Sequence, residues 1–500
     1  MASLLPRLLR GAGWIVAARI AFNLLGFVST LILARILVPA DFGLVALAVS
    51  VNGVLSSLFT ISASAALVRL DEVTRAHLDT AFTFGLARAL LIATALCAAA
   101  VPFAAFYDDP RLAPLLFAIA GGMILPGLLN PALVQLQRDL QFRPEFVLQV
   151  SEKVAAVAAA VLIALVTESY WALVIGTIVG RVAKLIASYV IRPYVPRLSF
   201  SEARTIWGFS SWLSGSSVLT TLNLRIDQFI IGGVEGQSTL GQYVVGDDLA
   251  ALPVREATTP LGLILYPAFS TMKSDHGELR RTYLRAMTTI YAVGLPIGLG
   301  FALVAEPVVL LLLGEKWAGA IIVIQVLSAF FGIRTLIMPA DSIALTLGAT
   351  RTLFNRTFVN FLIRMPLAIG GLLLAGIPGL LAGRFLTGII MTAITADMVR
   401  RLIGLGFRKQ LGSSIRSTVS GMTMSCVLVA WQWQVGWSVG DTARMWLELI
   451  AAAAVGAMLY VGTHLSLWLL AGRPPGAEQE IFSLVGKALR SKLGRGSAAG

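Results

Sequence analysis

The sequence predicts an all-α polytopic membrane protein of about 14 transmembrane helices, built as two six-helix lobes plus two C-terminal helices. Three observations predict this class: composition, the length of the apolar segments, and the distribution of Lys and Arg between the loops. Apolar residues make up 57% of the 500 residues and charged residues only 13%. Soluble domains usually carry about 25% charged residues. Lipid is therefore the expected solvent for much of the surface.

The apolar segments define the spans, because a helix of roughly 20 apolar residues crosses the hydrocarbon core. The first six lie near residues 13–34, 42–68, 79–106, 112–134, 145–166 and 169–190. The next six lie near 207–232, 239–268, 283–313, 318–346, 357–375 and 377–398, and the last two near 412–432 and 445–470. Since lipid tolerates no open sheet edge, segments this long and apolar are predicted to be helices.

The loops between the predicted spans carry their positive charge on one side. With the N-terminus placed in the cytoplasm, the cytoplasmic segments hold 23 Lys and Arg residues. The opposite side holds four, namely Arg35, Arg111, Lys316 and Arg444. Because cytoplasmic loops collect Lys and Arg, this imbalance predicts that both termini are cytoplasmic and that the number of spans is even.

An internal sequence repeat predicts how the spans are organised. Trp14 and Gly43 are 29 residues apart, as are Trp212 and Gly241, and the shift between the pairs is 198 residues. Both copies start on the same predicted side, which indicates a parallel repeat about a pseudo-twofold axis along the membrane normal. The predicted domains are an N-terminal lobe at 1–198, a C-terminal lobe at 199–410, an extra helix pair at 411–472 and a cytoplasmic tail at 473–500.

Within the tail, residues 478–493 place five apolar side chains at helical spacing with Lys and Arg between them. A short helix on the anionic cytoplasmic leaflet fits this pattern, and a weakly ordered tail is the alternative.

Several function classes lack their sequence signals. The formal net charge of +13 is explained by cytoplasmic loops, and no basic run is interleaved with aromatics, so a nucleic-acid partner is not expected. No GxxxxGK[ST] or HExxH motif occurs. We therefore expect neither a cofactor nor a metal, and we expect a protein that is not an enzyme.

Charge inside the spans is the main functional signal, because a charge at the bilayer centre costs at least about 3 kcal/mol. Twelve cations fall within predicted spans: Arg19, Arg88, Lys153, Arg181, Lys184, Arg225, Arg255, Arg285, Arg334, Arg364, Arg384 and Arg416. The predicted substrate-binding cavity is lined by Arg88, Lys153, Arg181, Arg225, Arg255, Arg334 and Arg364. Such a cavity suits a strongly anionic group such as a pyrophosphate. The alternative is a set of helix–helix ion pairs with Asp227, Asp247, Asp248, Glu256 and Asp341.

Asp247 and Asp248 lie together in the eighth predicted span. A carboxylate at that depth can bind a proton or a cation, so the pair is a candidate coupling-ion site. A helix-end cap is the alternative interpretation.

Three segments carry a family resemblance. They are the sequence LARILVPADFG at residues 33–43, QRDLQFR at 137–143, and residues 225–268 with Asp227, Gly232, Gly241, Tyr243, Pro253 and Pro267. They resemble bacterial polysaccharide transporters of the multidrug/oligosaccharidyl-lipid/polysaccharide exporter superfamily, and the whole chain is most similar to the Wzx-like flippases. Pro39 can end the first helix and Asp41 can cap the second, so these motifs are structural.

The resemblance implies two six-helix lobes around a cavity that opens alternately to each side of the bacterial inner membrane. It implies a lipid-linked oligosaccharide as cargo, usually carried on undecaprenyl pyrophosphate, for lipopolysaccharide O-antigen or exopolysaccharide biosynthesis. It further implies membrane lipids, a polysaccharide polymerase and chain-length proteins as partners. The cavity residues named above are inferred from their depth and not from the resemblance.

Two other functions remain open at this stage. A cation-coupled multidrug exporter of the same superfamily would be favoured by an excess of buried acids, whereas this chain has an excess of buried bases. A membrane-embedded polysaccharide polymerase or ligase would need a sizeable periplasmic loop. The longest outside loop predicted here is short, near Trp433 to Arg444.

Overall fold

The protein is described by a computed structural model that covers residues 4–473, apart from residues 60–66, 68, 69, 71 and 140. Helices account for almost all of the described residues, and no strand occurs among them. The first seven helices are α1 (Leu4–Ile36), α2 (Pro39–Leu58), α3 (Arg75–Phe106), α4 (Leu112–Gly127), α5 (Leu133–Arg138), α6 (Phe142–Thr167) and α7 (Trp171–Ile191). The next seven are α8 (Ala203–Val234), α9 (Gly236–Leu263), α10 (Leu265–Thr271), α11 (His276–Leu303), α12 (Ala305–Leu312), α13 (Ala320–Arg334) and α14 (Pro339–Thr346). The last three are α15 (Thr350–Ile403), α16 (Phe407–Val435) and α17 (Thr442–Leu470).

This architecture confirms the predicted fold class. Among the described residues, each of the fourteen predicted spans overlaps a helix, and two of them share α15. Among the described residues, eight helical stretches are long and apolar enough to cross a membrane by length and composition alone. Two shorter apolar helices, Ala21–Ile36 and Leu112–Gly127, add to them.

The helix α15 is a hairpin of two spans. Its backbone leaves the helical region at Ala375 (φ −145°) and Gly376 (φ 61°), a left-handed conformation that favours glycine. The two arms meet at Gly371 and Gly379, where a Cβ on either residue would overlap the backbone carbonyl of the other. Glycine therefore lets the arms pack backbone against backbone.

Four predicted spans are interrupted where the sequence indicates continuous helices. The span predicted at 112–134 is divided into α4 and α5, and the span predicted at 239–268 is divided at Ile264 into α9 and α10. The span predicted at 283–313 is divided at Val304 into α11 and α12. The span predicted at 318–346 is interrupted by a 3₁₀ turn at Thr335–Ile337, between α13 and α14. A 3₁₀ segment inside a helix often marks a functional site, and this one directly follows Arg334.

The contact between α6 and α7 depends on small residues. Gly176 and Gly180 form a GxxxG pair on α7. A Cβ on Gly176 would lie 2.6 Å from the Cβ of Ala160, and a Cβ on Gly180 would lie 2.6 Å from the backbone oxygen of Glu152. Small residues at this spacing let membrane helices approach closely.

We expect Gly180→Leu to destabilise the protein by about 2–3 kcal/mol, because the added side chain would force the two helices apart. Thermal unfolding in detergent measures the effect. The control is Val179→Leu, which changes an exposed side chain on the same helix. Equal melting temperatures for the two variants would contradict this account of the contact.

The connection between α7 and α8 is tied to the first turns of α3. The Tyr194 hydroxyl donates to the Asp79 carboxylate, and the Ser199 backbone N–H donates to the Thr83 hydroxyl at 2.9 Å. Burial and the contact with Asp79 raise the pKa of Tyr194 above its ordinary value, so the hydroxyl stays protonated and continues to donate. These bonds fix the point at which α8 begins.

The chain divides into two compact units, Met1–Val244 and Val245–Gly500, with the boundary inside α9. The lobes predicted at 1–198 and 199–410, the helix pair at 411–472 and the tail at 473–500 follow the sequence repeat and stay predictions. The surface helix predicted at residues 478–493 lies outside the described residues.

Candidate functional site

In the first unit, two of the predicted cavity residues flank α2. Arg88 on α3 donates from Nη2 to the backbone oxygen of Ser56 at 3.3 Å. Arg225 on α8 donates from Nη1 to Oε1 of Gln228 at 3.3 Å, and its Nε would lie 3.8 Å from a Cβ at Gly53. Gly53 and Ser56 are about one turn apart. The two guanidinium groups are thus held against neighbouring turns of the same helix.

The other two cations predicted in this unit surround one carboxylate. Glu152 forms an ion pair with Lys184 at 2.8 Å and lies close enough to Lys153 and Arg181 for their charges to interact. Lys153 also lies over the Phe22 ring, with Nζ 4.8 Å from the ring centroid. Glu152 is thus the shared partner of Lys184, Lys153 and Arg181, so these four side chains together carry more positive than negative charge.

The Arg181 guanidinium has a second role in this unit. It donates from Nη1 to the backbone oxygen of Gly122 at 3.0 Å, which joins α7 to α4. Arg181 is therefore partly a helix–helix contact, made through a backbone oxygen and not through one of the acids that the ion-pair alternative named.

The second unit gathers a larger cluster, which we call the arginine cluster and define as Arg334, Arg356, Arg364 and Arg384. The charge of Arg334 interacts with those of the other three arginines and with Asp341. Arg356 pairs with Asp341 at 2.6 Å. Arg364 lies on the first arm of the α15 hairpin and Arg384 on the second. Because the hairpin arms pack together, both guanidinium groups come into one region.

The position of Arg334 is distinctive. It is the last residue of α13, immediately before the 3₁₀ turn, near the middle of the apolar stretch Ala320–Thr346. Its side chain is exposed at this depth. An exposed guanidinium at mid-span needs water or an anion around it, because hydrocarbon cannot solvate it.

Arg384 contacts both a carboxylate and two aromatic rings. Arg384 pairs with Asp247 at 2.9 Å, and its guanidinium lies 5.9 Å and 5.6 Å from the ring centroids of Phe330 and Phe331. Two of the four arginines thus have a carboxylate partner, Arg356 with Asp341 and Arg384 with Asp247. Guanidinium groups bind phosphate oxygens bidentately, so a group of four arginines is suited to a diphosphate.

Two members of the arginine cluster were absent from the predicted cavity residues. Arg384 was recognised as a cation within a span but was not assigned to the cavity. Arg356 was assigned to a loop because its span was predicted to begin at residue 357, whereas α15 begins at Thr350. The ion pair between Arg356 and Asp341 extends the cluster to the start of the helix.

The remaining predicted residues are Arg255 and the two aspartates. Arg255 is exposed and pairs with its neighbour Glu256 at 3.3 Å. Asp247 pairs with Arg384, and Asp248 is exposed. The coupling-ion role of the two aspartates stays a prediction. Among the described residues, no group of three or more His, Cys, Asp and Glu side chains could hold a metal ion.

Comparisons with known proteins place this fold. The chain is 29% identical over 461 residues to the succinoglycan biosynthesis transport protein ExoT of Rhizobium meliloti (strain 1021), covering 90% of this chain and 91% of that protein. It is 24% identical over 419 residues to the lipopolysaccharide biosynthesis protein WzxC of Escherichia coli (strain K12), covering 82% and 84%. The solved structure of a lipid II flippase MurJ in an inward closed conformation matches with a TM-score of 0.71 at 13% identity, covering 91% of this chain and 99% of that one.

The fold is that of a polytopic helical membrane protein. A family model described as polysaccharide biosynthesis protein matches residues 32–323, and the chain belongs to that family.

Proposed function

We propose that this protein is a flippase that moves a lipid-linked oligosaccharide across the bacterial inner membrane by alternating access. The carrier is a polyprenyl diphosphate such as undecaprenyl pyrophosphate, and the oligosaccharide serves exopolysaccharide or lipopolysaccharide biosynthesis. The names of the relatives, a succinoglycan transport protein and a lipopolysaccharide biosynthesis protein, support this cargo class.

The arginine cluster is the observation that carries the proposal. Moving a diphosphate through the bilayer core without compensation is prohibitively costly, so the path needs fixed cations at membrane depth. Arg334 supplies an exposed cation at the interruption of a span, and interrupted helices typically line binding sites in transporters. No bond of the cargo needs to break, which agrees with a transporter that is not an enzyme.

The carboxylates near the cations argue against a site for cationic drugs. Asp247 pairs with Arg384, Asp341 pairs with Arg356, and Asp227 accepts a hydrogen bond from Tyr243 at 2.7 Å. The charges of Asp247 and Asp341 are paired with arginines, and Asp227 is held by a tyrosine, so a cation-coupled multidrug exporter is the weaker candidate.

Two further parts of the proposal concern the cellular setting. Both termini lie in the cytoplasm, in keeping with the excess of Lys and Arg in the loops on that side. The exported units pass to a polysaccharide polymerase and to chain-length proteins, which act on the far side of the membrane.

Deleting the gene from its host tests the proposal. We expect loss of the surface polysaccharide and accumulation of the diphosphate-linked oligosaccharide, measured by radiolabelled lipid extraction, because synthesis continues on the cytoplasmic leaflet. Drug susceptibility should not change. A deletion strain that keeps its polymer and becomes sensitive to cationic drugs would support the multidrug exporter instead.

A further inference from the structure

The first turns of α2 and α9 cross with their backbones in direct contact. A Cβ on Gly43 would overlap the carbonyl group of Gln237, and a Cβ on Gly241 would overlap that of Pro39. Each of these Cβ atoms would also lie 3.0 Å from the backbone nitrogen of the other glycine. Carbon–oxygen contacts between helices are normally about 3.3–3.6 Å. Neither position therefore has room for any side chain.

The contact is reciprocal, and it follows the sequence repeat. Gly43 and Gly241 are 198 residues apart, and so are their partners Pro39 and Gln237. Gly43 contacts Gln237 in the second copy, and Gly241 contacts Pro39 in the first, so the two contacts are equivalent. A local two-fold axis requires this arrangement. This contact between α2 and α9 therefore lies on the local two-fold axis of the repeat.

Side chains reinforce this contact from a neighbouring loop. Gln237 donates from Nε2 to the Asp109 carboxylate, and Arg111 binds both Asp109 at 2.8 Å and the Gln237 side-chain oxygen at 2.9 Å. Burial raises the pKa of Asp109, but the bonds from Arg111 and Gln237 outweigh it, and the pKa lies below its ordinary value. Asp109 therefore stays charged and keeps Gln237 in place.

We infer that this glycine crossing is the seal that closes one end of the transport path, and that the two helices must part there for cargo to leave. The inference rests on the proposed function, since alternating access requires an end that closes and reopens. The loops after α1 and α8 lie on the predicted periplasmic side, so the seal closes the exit. Glycine at both positions lets the closed state form without a side chain to displace.

Electron–electron distance measurement in nanodiscs of bacterial phospholipid tests the seal. Spin labels are attached through Val38→Cys and Glu235→Cys, two exposed positions beside the crossing, in a background with Cys97→Ser and Cys426→Ser. We expect Gly43→Ala and Gly241→Ala each to move the distance distribution toward longer values than in the labelled parent, because the closed contact can no longer form.

The matched control is Gly121→Ala in the same unit, where a Cβ would meet nothing within 4 Å, and it should leave the distribution unchanged. If the alanine variants fail to insert, Gln237→Ala supplies the same test, because it removes the side-chain bonds and leaves both glycines in place. Distributions that match the parent would overturn the inference. The readout needs no transport, so a distance shift without flipping would count against the proposed function alone.

Discussion

Arg334→Glu is expected to reduce polysaccharide export by about 100-fold or more while the protein still inserts. The substitution replaces a positive charge with a negative one among three other arginines. A unit charge interacting at 4 Å is worth about 4 kcal/mol near a protein surface and less at greater separation. Since each 1.4 kcal/mol changes a rate about tenfold, reversing one charge is enough for this loss. Export is measured as surface polymer in a deletion strain carrying the variant.

The control is Arg400→Glu, the same substitution at the exposed end of α15, where Arg400 pairs with Asp397. Exposed ion pairs contribute little, so export should stay near the parent level. Arg364→Glu, on the first arm of the hairpin, should behave like Arg334→Glu. Arg255→Glu tests whether Arg255, which is already paired with its neighbour Glu256, also binds the cargo. Normal export in the Arg334 and Arg364 variants would remove the arginine cluster from the transport path.

Asp247→Ala is expected to lower the free energy of unfolding by about 2–3 kcal/mol, because it leaves Arg384 without its carboxylate partner at membrane depth. Exchanging the charges, with Asp247→Arg and Arg384→Asp together, should restore most of the loss. Thermal unfolding of the purified protein measures both. By contrast, Asp397→Ala removes a surface partner and should cost less than about 1 kcal/mol.

The exchange variant also separates two roles for Asp247. If the residue only neutralises Arg384, both stability and export should return in the exchanged protein. If it binds a coupling ion, as predicted from its position, stability returns and export does not. An exchanged protein as unstable as Asp247→Ala would contradict the ion pair itself.

The sequence was a good guide to the spans because lipid imposes one requirement on the whole chain. A spanning segment must be apolar and helical, so composition and length locate it. The hairpin turn at Ala375–Gly376 falls between the spans predicted at 357–375 and 377–398. By contrast, the interruption at Thr335–Ile337 lies inside the apolar stretch Ala320–Thr346, where a local change of backbone geometry leaves the mean hydropathy unchanged.

The site was only partly predictable, because depth says how costly a charge is but not which neighbours it meets. Arg255 and Arg334 have similar predicted depth, yet one pairs with the adjacent residue and the other lies among three arginines. That difference depends on the α15 hairpin and the interruption after α13, which are tertiary features. Arg356 was missed for a simpler reason, since its helix starts seven residues before the predicted span.

The internal repeat, unlike the arginine cluster, was visible in the sequence. Trp14 and Gly43 recur as Trp212 and Gly241, with a shift of 198 residues. The structure explains the glycines, because Gly43 and Gly241 face each other across the crossing of α2 and α9. A pattern that identified a family thus also identifies a contact that no side chain could replace.

Flipping of a defined cargo in vesicles tests the central claim most directly. The protein is reconstituted into liposomes that contain a fluorescent oligosaccharide on undecaprenyl diphosphate, and a membrane-impermeant reductant then quenches the outer leaflet. We predict that liposomes with the parent protein lose nearly all fluorescence, whereas liposomes with Arg334→Glu lose only the outer-leaflet half, as protein-free liposomes do. Quenching of only the outer-leaflet half with the parent protein, or complete quenching with Arg334→Glu, would contradict the account.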